Sequence, residues 1–282
     1  MIAPLLSPAL ASLGVPHAFS TRAGGVSVPT PAADFSSLNF GNPGDLVEHR
    51  DPPGNIAVNF ARLAHTIDAA GREIVQVHQM HGAAVHVVRR GAPTHATPHD
   101  TKADAVVTDD PTRLLAVRVA DCCPILLTDA EGTVVAAVHA GWRGVVCESA
   151  AGDASGPARR GVLAPTVRAM LDLGARSIHA AIGPCISFDR FEVGAEVLSA
   201  FRAVFGEGCD QRRLIRVAGE GKGFVNLQAC LEEQLRALGV TGVDTIARCT
   251  AGEPDLFFSH RRENGRTGRM VGVIGPRRTE TA

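Results

Sequence analysis

Two apolar runs separated by a short polar turn constrain this chain most. Val119-Ala120-Asp121-Cys122-Cys123-Pro124-Ile125-Leu126-Leu127 is followed by Val134-Val135-Ala136-Ala137-Val138-His139-Ala140-Gly141-Trp142-Arg143-Gly144. Strands are expected at Ile125–Thr128 and Thr133–His139, and Glu131-Gly132 between them reads as a hairpin turn. Such a hairpin brings Cys122 and His139 to one end of a sheet. A thiol and an imidazole placed there can ligate a metal or form a nucleophile–base pair. His81, in Gln79-Met80-His81-Gly82 between two further apolar segments, favours a metal.

The rest of the chain sets the architecture. Residues up to about 50 are turn-rich, with Thr21-Arg22-Ala23-Gly24-Gly25-Val26-Ser27 and Ser37-Leu38-Asn39-Phe40-Gly41-Asn42 as loops. Ile56 to Ala70 has a helical apolar face of Ile56, Phe60, Leu63 and Ile67. Further strands are expected at Glu73–His78, Ala84–Arg89, Ala105–Thr108, Leu114–Val119, Ser177–Ile182, Asp244–Ala247 and Met270–Ile274. Helices are expected at Pro165–Leu173, Phe191–Phe205 and Leu227–Leu238. Gly91–Lys102 and Ser149–Gly161 read as loops. Strands and helices mix without strict alternation, which predicts an α+β fold with mixed sheets.

Bulk properties narrow the partners. A chain of 282 residues, 45% hydrophobic, can bury a large core as a single domain over 1–282. The net charge of −1 and the absence of a basic stripe argue against nucleic acid. No run approaches the ~20 apolar residues of a membrane span. Seven cysteines without framework spacing and no signal peptide point to a reduced, cytoplasmic protein. There is no Tyr to act as acid, base or radical site.

His81, Cys122 and His139 together are a Cys/His₂ set that leaves one coordination position open, as in catalytic zinc sites. The thiolate also accepts copper. The spacing alone leaves other readings standing: a buried thiol with a hydrogen-bonded core histidine, or a metal-free Cys122 nucleophile with His139 as base and Asp121 or Asn39 orienting the imidazole. Arg22, Arg143 and Arg261 lie in or beside glycine-rich or polar turns and can bind an anion bidentately. Trp142 can stack a planar ligand or anchor its turn. Cys185, in Gly183-Pro184-Cys185-Ile186, reads as part of a structural turn, and His95 and His99 as solvated loop residues. His78 and His81 would face opposite ways on an extended strand, so they are not expected in one site.

These motifs jointly resemble the YfiH-like family, also called laccase-domain or polyphenol oxidase proteins. The resemblance is carried by the two glycine- and serine-containing loops above, Gln79-Met80-His81-Gly82, Ala103-Asp104-Ala105, Ala120-Asp121-Cys122-Cys123-Pro124 and His139-Ala140-Gly141-Trp142-Arg143-Gly144. Ile182-Gly183-Pro184, Phe191-Glu192-Val193, Arg248-Cys249-Thr250 and Phe257-Phe258-Ser259-His260-Arg261-Arg262 extend it over nearly the whole chain. It implies a CNF/YfiH-like layered sandwich, with zinc or copper held by His81, Cys122 and His139. It also implies phosphorolysis of purine nucleosides such as adenosine, inosine and methylthioadenosine, with accompanying adenosine deamination. Arg22, Asn39, Arg143, Lys222 and Arg261 are then candidate ligands for substrate and phosphate. A copper-dependent polyphenol oxidase and a metal-free Cys–His hydrolase are the alternative activities. The chain departs from the family pattern at Met80, Cys123 and His260, and in a longer loop after Arg143.

Overall fold

The computed structural model describes residues 2–93, 100–148, 160–219, 221–240 and 242–278. The expected hairpin forms: β6 (Cys123–Thr128) pairs antiparallel with β7 (Val135–Ala140), with Pro124 opposite His139 and Cys123 opposite Ala140. Around it a six-stranded mixed sheet runs β12 (Gly242–Thr245), β8 (His179–Ile182), β6, β7, β4 (Ala105–Thr108), β3 (Val85–Val88). A second sheet runs β1 (His17–Phe19), β13 (Met270–Ile274), β5 (Arg113–Val119), β2 (Glu73–Val75).

The two sheets stack, and the alternation of side chains explains why their strands are apolar on both faces. Leu126, Val135, Ala137 and Val106 point between the sheets, against Leu115 and Val117 of β5. Their chain neighbours Ile125, Leu127, Ala136, Val138, Ala105 and Val107 point the other way. That outer face is covered by α4 (Leu163–Asp172), α5 (Ala195–Phe205) and α6 (Leu227–Ala237), through residues such as Met170, Phe201 and Leu231. On the opposite side α2 (Pro53–Thr66) lays Phe60 and Leu63 on Leu114, Ala116, Val271 and Val273. The result is the expected α+β layered sandwich of mixed sheets flanked by helices.

Several boundaries differ from the sequence expectation. The strand beginning at Glu73 ends at Val75. The helix expected from Phe191 begins at Ala195, because Glu192–Gly194 pairs as β9 with β11 (Lys222–Val225), which in turn pairs with β10 (Ile215–Gly219). The turn-rich start contains α1 (Pro8–Ser12), capped by the Ser7 hydroxyl accepting from Leu10 N–H, with Pro8 in the first turn. A short α3 (Trp142–Val146) follows β7 directly. Residues 94–99, with His95 and His99, and most of the 149–161 loop lie outside the described residues.

His17 ties α1 to the sheet. Its Nε2 accepts from Ser7 N–H at 2.9 Å and its Nδ1 faces Val15 O at 3.0 Å, so the buried ring is neutral with its proton on Nδ1. Burial depresses its pKa, with only partial compensation from Val15, Ser7 and Asp244. The unfolded chain therefore takes up this proton first as pH falls through the usual value of about 6.5. The expected result is full stability from this residue above that pH and a progressive loss below it. Urea unfolding of wild type and His17→Gln across pH 5 to 8 checks this: the variant should show the shallower decline.

Candidate metal centre

Cys122 immediately precedes β6, and Asp121 before it adopts φ 84°, a left-handed conformation rare for a non-glycine residue. Its carboxylate stabilises that turn by accepting from Thr250 Oγ1 (2.5 Å), Ser259 Oγ (2.9 Å) and Arg261 N–H (2.7 Å). His81 is also left-handed, at φ 61°, in a turn that follows the end of β2. One fully buried side chain organises that turn: Asp104 accepts from the N–H groups of Met80 (3.2 Å), His81 (2.8 Å) and Gly82 (2.7 Å). The same carboxylate meets His139 Nδ1 at 2.8 Å. Burial works against its charge, but the His139 contact and the Gly82 and His81 amides hold its pKa below the usual range. An ionised Asp104 holds a His139 proton on Nδ1, so that Nε2 is the nitrogen that gives up its proton to take a ligand. Asp104, and not Asp121 or Asn39, is thus the residue that orients the imidazole.

The ligand atoms of His81, Cys122 and His139 all lie within 4.8 Å of one another, and the two rings meet edge-on with centroids 4.7 Å apart. Donors on a tetrahedral zinc ion sit roughly 3.4–3.6 Å apart, given Zn–N of about 2.0–2.1 Å and Zn–S of about 2.3 Å. Gly141 is required here: a Cβ on it would stand 3.0 Å from both Cys122 Sγ and His81 Cδ2. Burial alone would push the Cys122 thiol up, yet the adjacent His139 and His81 hold it down to about 6. Reciprocally, burial lowers His139, but the Cys122 charge and Asp104 raise it to about 9. A thiolate favoured at neutral pH is the form that binds a soft or borderline metal. The donor set, its geometry and its supporting carboxylate fit zinc, and copper equally by ligand type.

The three residues line a cavity of about 660 Å³, within the range of small-molecule sites. Of the other candidates, Arg143 and Arg261 stand on its wall, with their guanidinium groups over the rings of Trp142 (4.6 Å) and Phe191 (5.6 Å). The remaining three are placed elsewhere. Arg22 is paired with Asp34 and donates to Ser36 O and Pro254 O. Asn39 is fully buried, with its amide committed to Asp51, Gly41 N–H and Arg269 N–H. Lys222 pairs with Glu192 at 3.4 Å. His78 lines the same cavity as His81, contrary to the expectation from an extended strand, because the chain leaves β2 at Val75 and turns at His81.

Sequence reasoning missed Asp104, Arg118 and Arg269 as site residues. A carboxylate between two alanines at the entrance to an apolar strand was the available signal for Asp104. Arg118 and Arg269 also line the cavity. Each sits at a strand end in a pattern that reads as ordinary sheet edge.

Residues 16–277 match the family described as multi-copper polyphenol oxidoreductase laccase. A purine nucleoside phosphorylase of Deinococcus radiodurans is 40% identical over 271 residues, covering 95% of this chain and 92% of that protein. The purine nucleoside phosphorylase YfiH of Escherichia coli is 35% identical over 266 residues, covering 93% of each. The crystal structure of YfiH from Bacillus licheniformis superposes with a TM-score of 0.75 at 27% identity, covering 92% of each chain.

Proposed function

The chain belongs to the multi-copper polyphenol oxidoreductase laccase family, of the YfiH type, and we propose that it is a metal-dependent purine nucleoside phosphorylase. The substrates proposed are adenosine, inosine and methylthioadenosine, cleaved with phosphate to free base and ribose 1-phosphate, with adenosine deamination as a second activity. The observation that carries this reading is the Cys/His₂ set opening into a cavity that also presents several guanidinium groups. His81, Cys122 and His139 would hold the ion. When bound, it supplies Lewis acidity toward an oxygen-bearing substrate or water.

The residues of the chain do the rest. In phosphorolysis a phosphate oxygen forms the bond to C1′ as the C1′–N9 bond breaks. The electron pair leaves with the purine, which takes up a proton. Negative charge is brought into the cavity, and arginines are suited to hold it in a fixed orientation. Arg143 and Arg261, steadied on aromatic faces, are proposed to contact the substrates. Arg143→Lys keeps the charge but loses the planar fork. It is expected to lower phosphate-dependent inosine cleavage about tenfold, the ~1.5 kcal/mol of one charged hydrogen bond, with metal content intact. Product analysis on inosine, adenosine and methylthioadenosine, with and without phosphate, tests the proposal. Base without ribose 1-phosphate, or no turnover of any nucleoside, would contradict it.

One observation favours a second reading. The Cys122 thiol, the His139 imidazole and the Asp104 carboxylate also have the connectivity of a nucleophile, base and orienting group. Alkylation separates the two: a metal ligand is shielded in the loaded protein and exposed after chelation.

A further inference from the structure

Strand register places two arginines side by side, with neither in a salt bridge among the described residues. In the β5–β13 ladder Arg118 lies opposite Val271, and Met270 opposite Val119. Arg269, two residues before Val271, is therefore the diagonal neighbour of Arg118 on the same face of the sheet. Such neighbours are within reach of one another for long side chains, and like charges so placed are destabilising. Both side chains line the cavity that holds the metal ligands. Gly41 allows this close seating, since a Cβ there would lie 2.9 Å from Arg118 Cδ. Gln79 fixes the Arg118 backbone from both sides, donating to its carbonyl at 2.7 Å and accepting from its N–H at 2.9 Å.

Neither guanidinium is in an ion pair among the described residues. Arg269 donates to Thr267 O and Gly268 O, and Arg118 only to Val77 O at 3.4 Å. The carboxylates sharing the cavity are Asp45, exposed at its edge, and Asp121, whose oxygens serve Thr250, Ser259 and Arg261. Burial lowers the pKa of both arginines; at Arg269 the nearby Cys122, Asp45 and Asp121 charges work against this, and Arg118 adds to it. Two desolvated, mutually repelling cations facing one cavity are stabilised by an anion between them.

We infer that Arg118 and Arg269 form the anchor for inorganic phosphate. This inference rests on the proposed phosphorolysis and deepens it, adding a cross-strand pair as the phosphate anchor to the substrate contacts proposed for Arg143 and Arg261. A tetrahedral oxyanion offers oxygens to two guanidinium forks at once. Phosphate held there leaves the side of the cavity lined by the ligand triad to the nucleoside.

The test uses metal-loaded wild type, Arg118→Met, Arg269→Met and, as a control far from the cavity, Arg168→Met on the exposed face of α4. Inorganic phosphate binding is measured calorimetrically without nucleoside, and the phosphate half-saturation is measured with inosine. Each site variant is expected to weaken phosphate at least tenfold in both assays, with the inosine KM changed less than threefold and Arg168→Met unchanged. Without phosphate, Arg118→Met should melt no lower than wild type, because a repulsion has been removed; a merely structural arginine would give a lower melting temperature. If a methionine variant misfolds, Arg118→Lys and Arg269→Lys read the same phosphate constants with charge retained. Wild-type phosphate affinity in all the site variants would overturn the inference while leaving phosphorolysis standing. Phosphate binding that depends on the pair, in a protein that cleaves no nucleoside, would instead overturn phosphorolysis and leave the anion site.

Discussion

Cys122→Ser is expected to empty the centre. Serine replaces a thiolate with a neutral hydroxyl of similar size, so the fold persists while the soft donor is lost. Two imidazoles remain, too few to hold zinc against competing water. Metal content should fall from near one ion per chain to below about a tenth. Phosphate-dependent cleavage of inosine should fall at least a hundredfold, equivalent to ~2.7 kcal/mol in the barrier. The control is thermal: metal-free wild type and metal-free Cys122→Ser should melt within a few degrees of each other, while adding metal should raise only the wild type. Elemental analysis and melting curves on the same preparations check both halves.

Asp104→Asn should damage the centre without removing a ligand. The carboxylate accepts hydrogen bonds from three backbone N–H groups of the His81 turn and from His139 Nδ1–H. An amide has one acceptor oxygen, and its NH₂ must face either the turn or the imidazole. Facing the imidazole, it forces Nε2 to carry the proton and blocks the ligand position. Facing the turn, it opposes donors with donors. Breaking a buried charged network of this kind costs about 3–5 kcal/mol, or roughly 5–8 °C in melting temperature for a chain of this length. Metal affinity should fall about 10–100-fold, as for other carboxylates behind a ligating histidine. A competition titration with a chromophoric chelator reads the affinity. An Asp104→Asn protein with wild-type metal affinity would show that the Asp104–His139 contact is incidental.

The hairpin was legible because continuous apolar runs and a Glu-Gly turn act locally, the register that sets Pro124 opposite His139 follows from the turn, and the layered sandwich was legible through the family resemblance. Cys122 and His139 could be placed at one end of a sheet for the same reason. His78 could not, since its direction depends on where β2 stops and on the left-handed His81, which a distant carboxylate stabilises. Asp104 was visible as the centre of the Ala103-Asp104-Ala105 motif, a charge at the entrance to an apolar strand with no role assigned to it. Its meaning comes from contacts 22 to 35 residues away in sequence. The Arg118–Arg269 pair needs the β5–β13 register, which joins residues about 150 positions apart and has no local signature. Arg22, Asn39 and Lys222 failed to reach the cavity for the converse reason. Polar turns with flanking glycines look alike whether they bind a ligand or, like Asn39, hold the loops of the chain together.

The central claim is that one ion on His81, Cys122 and His139 serves phosphate-dependent cleavage in this cavity. Metal stoichiometry and product analysis on a single preparation of wild type and of the Cys122→Ser/His139→Ala double variant test it most directly. The expected result is one ion per wild-type chain, with hypoxanthine and ribose 1-phosphate formed from inosine only when phosphate is present. The double variant should show neither metal nor product. Full stoichiometric metal in the double variant, or undiminished phosphorolysis by it, would contradict the claim.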